Sequence, residues 1–104
     1  DLEIAMIRNP LSHRITSFGF MELLAEQDGK PLVEFLHFDG NGRTHLHDEW
    51  EHCRVVKGGG IIQIGQDRIE VEKDSVCSIP PNTEHWMEPD GMMEVLLTYL
   101  PKDV

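Results

Sequence analysis

The sequence predicts an all-β domain, and three observations carry that prediction. Apolar residues come in short runs, never in the ~20-residue stretch that a membrane helix requires. Clusters of Gly, Pro, Asn and Asp separate the runs at close, regular intervals, the pattern of a sandwich or barrel. Within several runs apolar and polar side chains alternate, as on a strand with one packed face and one wetter face. At 104 residues the chain has the length of a single domain. Such a domain buries roughly 60–65% of the surface its unfolded chain exposes.

The first candidate strand is Leu2–Ile7, closed by Asn9-Pro10. The second, Phe18–Glu26, ends at Asp28-Gly29-Lys30-Pro31. Leu23, Leu24 and Ala25 would favour a helix over Met21–Gln27, but that segment is short and lacks a clear cap, so it is read as strand. Leu32–Phe38 follows, then the Asp39-Gly40-Asn41-Gly42 loop. Glu51–Val56 and Ile61–Ile64 come next, with Gly58-Gly59-Gly60 as the turn between them. No helix or Lys-Ser/Thr follows these glycines, which sets aside a phosphate loop. Arg68–Val71 and Val76–Ile79 lead to the Pro80-Pro81-Asn82 turn, and His85–Glu88 and Met93–Leu100 stand on either side of Pro89-Asp90-Gly91. The last run is apolar on both parities. A strand of that kind is either central or covered by another subunit, so a homodimer is expected. A monomer by light scattering at micromolar concentration would count against it.

The net charge of −10 argues against nucleic acid, whose affinity depends on Lys and Arg neutralising phosphates. It equally disfavours an anionic membrane surface. The expected partner is a small molecule. No basic region followed by an apolar stretch opens the sequence, so a cytoplasmic setting is expected. Cys53 and Cys77 are read as reduced, buried, small apolar residues.

The chemistry concentrates in His45-Leu46-His47-Asp48-Glu49-Trp50-Glu51 and, much later, His85. Side chains alternate along an extended chain, so His45 and His47 share a face, and Glu51 shares their parity. A bulge over Asp48-Glu49-Trp50 could re-aim a side chain toward the same point. His52 has the opposite parity and should face away. The Pro80-Pro81-Asn82-Thr83-Glu84 turn delivers His85 at the start of the next strand, its prolines fixing φ and reducing the entropy lost on ordering. Three imidazoles and one carboxylate suit a divalent transition metal: Fe(II), Mn(II) or Ni(II), or a four-coordinate zinc.

These residues resemble the cupin superfamily. The first cupin motif runs from glycine through His-x-His to a glutamate and a second glycine; here Gly40, His45, His47, Glu51 and Gly58 stand in those places, Gly40 one residue closer to His45 than the pattern asks. The second motif is matched by Asp74 through Pro89: Asp74 stands at its first glycine, Pro80 at its proline, Asn82 at its second glycine, His85 at its histidine and Pro89 where Asn is frequent. Asn tolerates the left-handed conformation that glycine usually supplies. The resemblance covers about half the chain. It implies a double-stranded β-helix or jelly-roll barrel of two antiparallel sheets. It also implies a metal in the barrel mouth on His45, His47, Glu51 and His85, and frequent homodimers.

Fold does not fix reaction. The implied function is a mononuclear metal-dependent enzyme, oxygenase-like or an isomerase or lyase, acting on a small organic molecule. The alternative is a non-catalytic binding or sensing module using the same pocket. His37 is a weak acid/base candidate against the plainer reading of a half-exposed strand histidine, and Tyr99 is another if its phenol faces inward. His13 is assigned to a solvated amino-terminal loop, Trp50 and Trp86 to packing beside the ligands, and Met87, Met92 and Met93 to core filling. No Arg fork aimed at a substrate carboxylate is assigned; Arg43 and Arg54 are the candidates, with Arg54 facing out by parity.

Overall fold

The computed structural model describes residues 8–103; the expected strand Leu2–Ile7 lies outside them. Among the described residues there are strands and no helix. In chain order they are β1 (Ser12–Thr16), β2 (Gly19–Gln27), β3 (Lys30–Phe38), β4 (Trp50–Ile64), β5 (Asp67–Val71), β6 (Val76–Ile79) and β7 (His85–Leu100). All pairings are antiparallel, in the order β1-β2-β3-β7-β4-β5, with β6 also on β4. The Met21–Gln27 segment is strand, as its short length and missing cap imply.

Four expected strands are two long ones. Gly58-Gly59-Gly60 does not turn the chain back; it bends β4 within a continuous ladder against β7. Opposite it, Gly58 pairs with Met93 and Gly60 with Pro89, so Asp90, Gly91 and Met92 bulge from β7 at the same level. Pro89 sits at that irregularity, where a missing N–H costs least. The two long strands run through both halves of the barrel, so what were expected as two sheets join into one hydrogen-bonded sheet. Turn-forming residues can mark a bend inside a strand as readily as its end.

The structure adds β1, which the sequence reading assigned to loop. Its five residues are exposed or half-exposed, so it carries no apolar face for pattern analysis to find. His13 is correspondingly not a free loop residue: its Nδ1 lies 3.0 Å from Glu22 Oε2 and its ring stacks on Phe20 at 4.9 Å.

The core lies inside the bent sheet. Phe38, Cys53, Val55, Ile62, Met87, Met93, Val95 and Leu97 pack there, with Tyr99 against their edge. The β7 residues Met93, Val95 and Leu97 are buried on alternate positions, as their parity predicts. The apolar character of both β7 faces has a local explanation, because this strand is central, between β3 and β4. Cys53 and Cys77 are free thiols directly opposite one another on β4 and β6; Cys53 is buried and Cys77 half-buried.

Candidate metal centre

His45 and His47 do not lie on a regular strand. The segment between β3 and β4 belongs to no strand, and a single bridge joins its His45 to His85. That bridge uses both backbone bonds, His45 N–H to His85 carbonyl (3.1 Å) and the reverse (3.0 Å). Asn82 N–H also donates to the His47 carbonyl at 2.7 Å. The proline-braced turn is therefore sewn to the His-x-His segment by main chain. Asn82 has φ of 56° and Asp74 has φ of 75°, so both replacements for the motif's glycines adopt the left-handed conformation. Glu51 enters from the start of β4, paired with Tyr99 of β7 and Ile79 of β6.

Ligand atoms of His45, His47, Glu51 and His85 all lie within 4.8 Å of one another. Each imidazole places Nδ1 near a backbone carbonyl two residues away: His45 on Arg43 (3.1 Å), His47 on Glu49 (3.1 Å) and His85 on Thr83 (2.8 Å). Donation through Nδ1–H would free Nε2 for a metal, and such outer contacts orient imidazoles toward one. Sequence reading could not name these partners.

The donor set passes a test of fit with a divalent ion. Glu51 and His85 are essentially inaccessible, yet Glu51 Oε2 and His85 Nε2 have no hydrogen-bond partner. His85 Nε2 stands 3.3 Å from Glu51 Oε1, and His47 Nε2 lies 2.9 Å from the same oxygen. Buried polar atoms left unpaired in this way are costly, and a cation between them would satisfy both.

Burial alone would raise the Glu51 pKa, but the hydrogen bond from His47 and the nearby charge of His47 and His85 outweigh it and hold the carboxyl at about 2. His47 is raised, chiefly by its bond to Glu51, whereas burial lowers His45. These shifts set the pH response of the metal-free protein. Glu51, with a depressed folded pKa, adds stability above its unfolded value of 4.5 that is lost as pH falls toward 2. The raised His47 favours the fold below 6.5 and the lowered His45 disfavours it there, so the two oppose each other near neutrality. Urea unfolding of chelated protein should therefore show a midpoint that drops between pH 4.5 and 2. Glu51→Gln should lose part of that drop; an unchanged slope would contradict the assignment.

The remaining candidates separate. Tyr99 lines the pocket beside the cluster, its ring 5.5 Å from that of His47. Burial, with Glu51 and Glu34 nearby, pushes its phenol far above the usual range, so it keeps its proton. That proton is donated to Glu34 Oε1 at 2.6 Å. His37 is on the opposite face of β3, bonded to Glu94 at 2.7 Å and stacked on Phe20. It is the half-exposed strand histidine of the plainer reading. His52 faces out, bonded to Ser78, and Arg54 pairs with Asp74. Trp86 donates to Glu88, and Trp50 stacks against His52. Neither indole lines the pocket, whereas Met87 does.

Glu34 was missed. Its signal was present, because Glu34 shares the parity of Leu36 and Phe38 on β3, so an acidic residue stands in a file of inward-facing apolar ones.

The sequence model of the Cupin domain matches residues 33–99, well over half the chain. The chain belongs to the cupin family. Solved structures agree on the fold. A cupin from Bacteroides fragilis shares 21% identity over 66% of this chain and 64% of that one, with TM-score 0.61. A cupin 2 conserved barrel domain protein from Rhodopseudomonas palustris shares 20% over 77% and 59%, with TM-score 0.64. A protein from Photorhabdus luminescens shares 17% over 98% and 91%, with TM-score 0.70. The chain thus spans less than two thirds of the Bacteroides and Rhodopseudomonas proteins. No curated protein matches it. No helix among the described residues is long and apolar enough to cross a membrane.

Proposed function

We propose that this cupin binds one divalent transition ion through His45, His47, Glu51 and His85, and is a mononuclear metal-dependent enzyme acting on a small organic molecule. The observation that carries the reading is the convergence of three carbonyl-oriented imidazoles and a buried carboxylate with an unpartnered oxygen. The histidine donors with a single carboxylate suit Fe(II), Mn(II), Ni(II) or zinc. Such an ion, when bound, supplies Lewis acidity and orientation and, as iron, dioxygen chemistry. An oxygenase-like reaction is put forward first, with isomerase or lyase chemistry on the same four residues as the alternative.

The chain's own residues do the rest. The Nδ1 contacts hold the imidazoles in one tautomer. Apolar walls exclude water, and Tyr99 holds a proton between its phenol and Glu34 within the pocket. A cytoplasmic homodimer is part of the proposal; the exposed Leu11, Ile15 and Val76 offer apolar surface to a second copy.

Elemental analysis of purified protein tests the first step. About one ion per chain is expected, and His47→Ala should remove it together with any turnover. Full metal content in that variant would falsify the ligand assignment. Oxygen consumption or product formation on a metabolite panel supports an enzyme; binding without turnover supports a sensing module.

A further inference from the structure

The cavity beside the cluster has a volume near 420 Å³ and is walled by Phe18, Met21, Leu36, Phe38, Met87 and Leu97. That size admits a compact organic molecule and gives it a largely apolar surround. The few polar groups then decide what chemistry it must carry.

Glu34 is the informative one. It is 9% exposed and lines the cavity. Among the described residues its hydrogen-bonding partner is the Tyr99 hydroxyl, on Oε1. Because Tyr99 spends its proton on Glu34 Oε1, the hydrogen-bonding capacity left on these two lining residues is that of acceptors: the phenol lone pair and Glu34 Oε2. Glu49 and Glu51 add carboxylates to the lining. Arg43 is the one Lys or Arg among the lining residues, and it is exposed.

Resting on the cupin metal-site reading above, we propose that the cavity selects a compact apolar molecule bearing a hydrogen-bond donor, an alcohol or amine in the neutral or cationic state, with Glu34 and Tyr99 as its polar anchor. A donor group meets two acceptors there. A carboxylate would instead be placed beside the buried Glu34, where like charges are poorly screened and repel. A site built to accept a donor also rejects analogues lacking one, because its buried acceptors lose their partner.

Benzylamine, benzyl alcohol and benzoate form a probe set of one shape and differing polar group. Binding is read by ligand-observed NMR or calorimetry, on chelated and on metal-loaded protein. In the chelated protein benzylamine and benzyl alcohol should each bind at least about tenfold more tightly than benzoate, a difference of ~1.4 kcal/mol. Glu34→Gln keeps a carbonyl for Tyr99 but removes the charge. It should weaken benzylamine about tenfold, leave benzoate equal or stronger, and leave metal content unchanged. Tyr99→Phe, which removes one acceptor, should weaken benzyl alcohol. Equal binding of benzoate in the chelated protein, or amine binding indifferent to Glu34→Gln, overturns the proposal. The two readings fail separately: Glu34-dependent amine binding by a protein that takes up no ion when metal is supplied removes only the metal site, and full metal without donor selectivity removes only this inference.

Discussion

Glu51→Gln is expected to lower metal content from about one ion per chain to less than a tenth, in a protein that stays folded. Glu51 supplies the only charged donor of the cluster and is fully buried. Gln keeps the shape and an oxygen that can face His47, so the barrel should tolerate it. It cannot supply the negative charge that offsets a divalent ion in a buried site. The loss of affinity should exceed the ~10–100-fold typical of removing an outer hydrogen-bond partner of a ligand. Metal titration with a competing chelator measures it. Retention of a stoichiometric ion at wild-type affinity would move the site elsewhere.

Gly58→Ala should be strongly destabilising. Gly58 has φ of +70°, and a Cβ built on it would lie 2.1 Å from the Met92 carbonyl oxygen. The obstacle is backbone, so a rotamer change cannot relieve it. Either β4 straightens or β7 withdraws, and both strands carry the core and the site. A cost of about 3–5 kcal/mol is expected, in the range reserved for strained backbone and broken packing. Urea denaturation of wild type and variant measures it. A shift under ~1 kcal/mol would mean that the bend is looser than the ladder implies. At Gly29, where a built Cβ meets nothing, alanine should cost far less, with only its left-handed φ to oppose it.

What could be read from residues was what local geometry governs. Alternation placed Glu51 on the ligand side and His52 and Arg54 outward, and β4 has that pattern. Spacing grouped His45 with His47, and the proline turn announced His85 at a strand start. The misreadings share a cause. Gly58-Gly59-Gly60 and Pro89-Asp90-Gly91 are turn residues in isolation, and only their position opposite each other makes them a paired bend. β1 has no apolar face, so its pairing with β2 left no periodic trace.

The chain's order of residues was enough for an all-β cupin and for four side chains that could hold a metal, because parity and turn chemistry act within a few residues. Their meeting is a matter of register between segments far apart: His45 bridges His85 across the barrel mouth, and the Glu51 carboxylate reaches His47 and His85. The same long-range register put Tyr99 against Glu34, 65 residues away, and turned His37 to the outside. Which face of a strand becomes the interior depends on how its sheet bends, and β4 and β7 set that bend together.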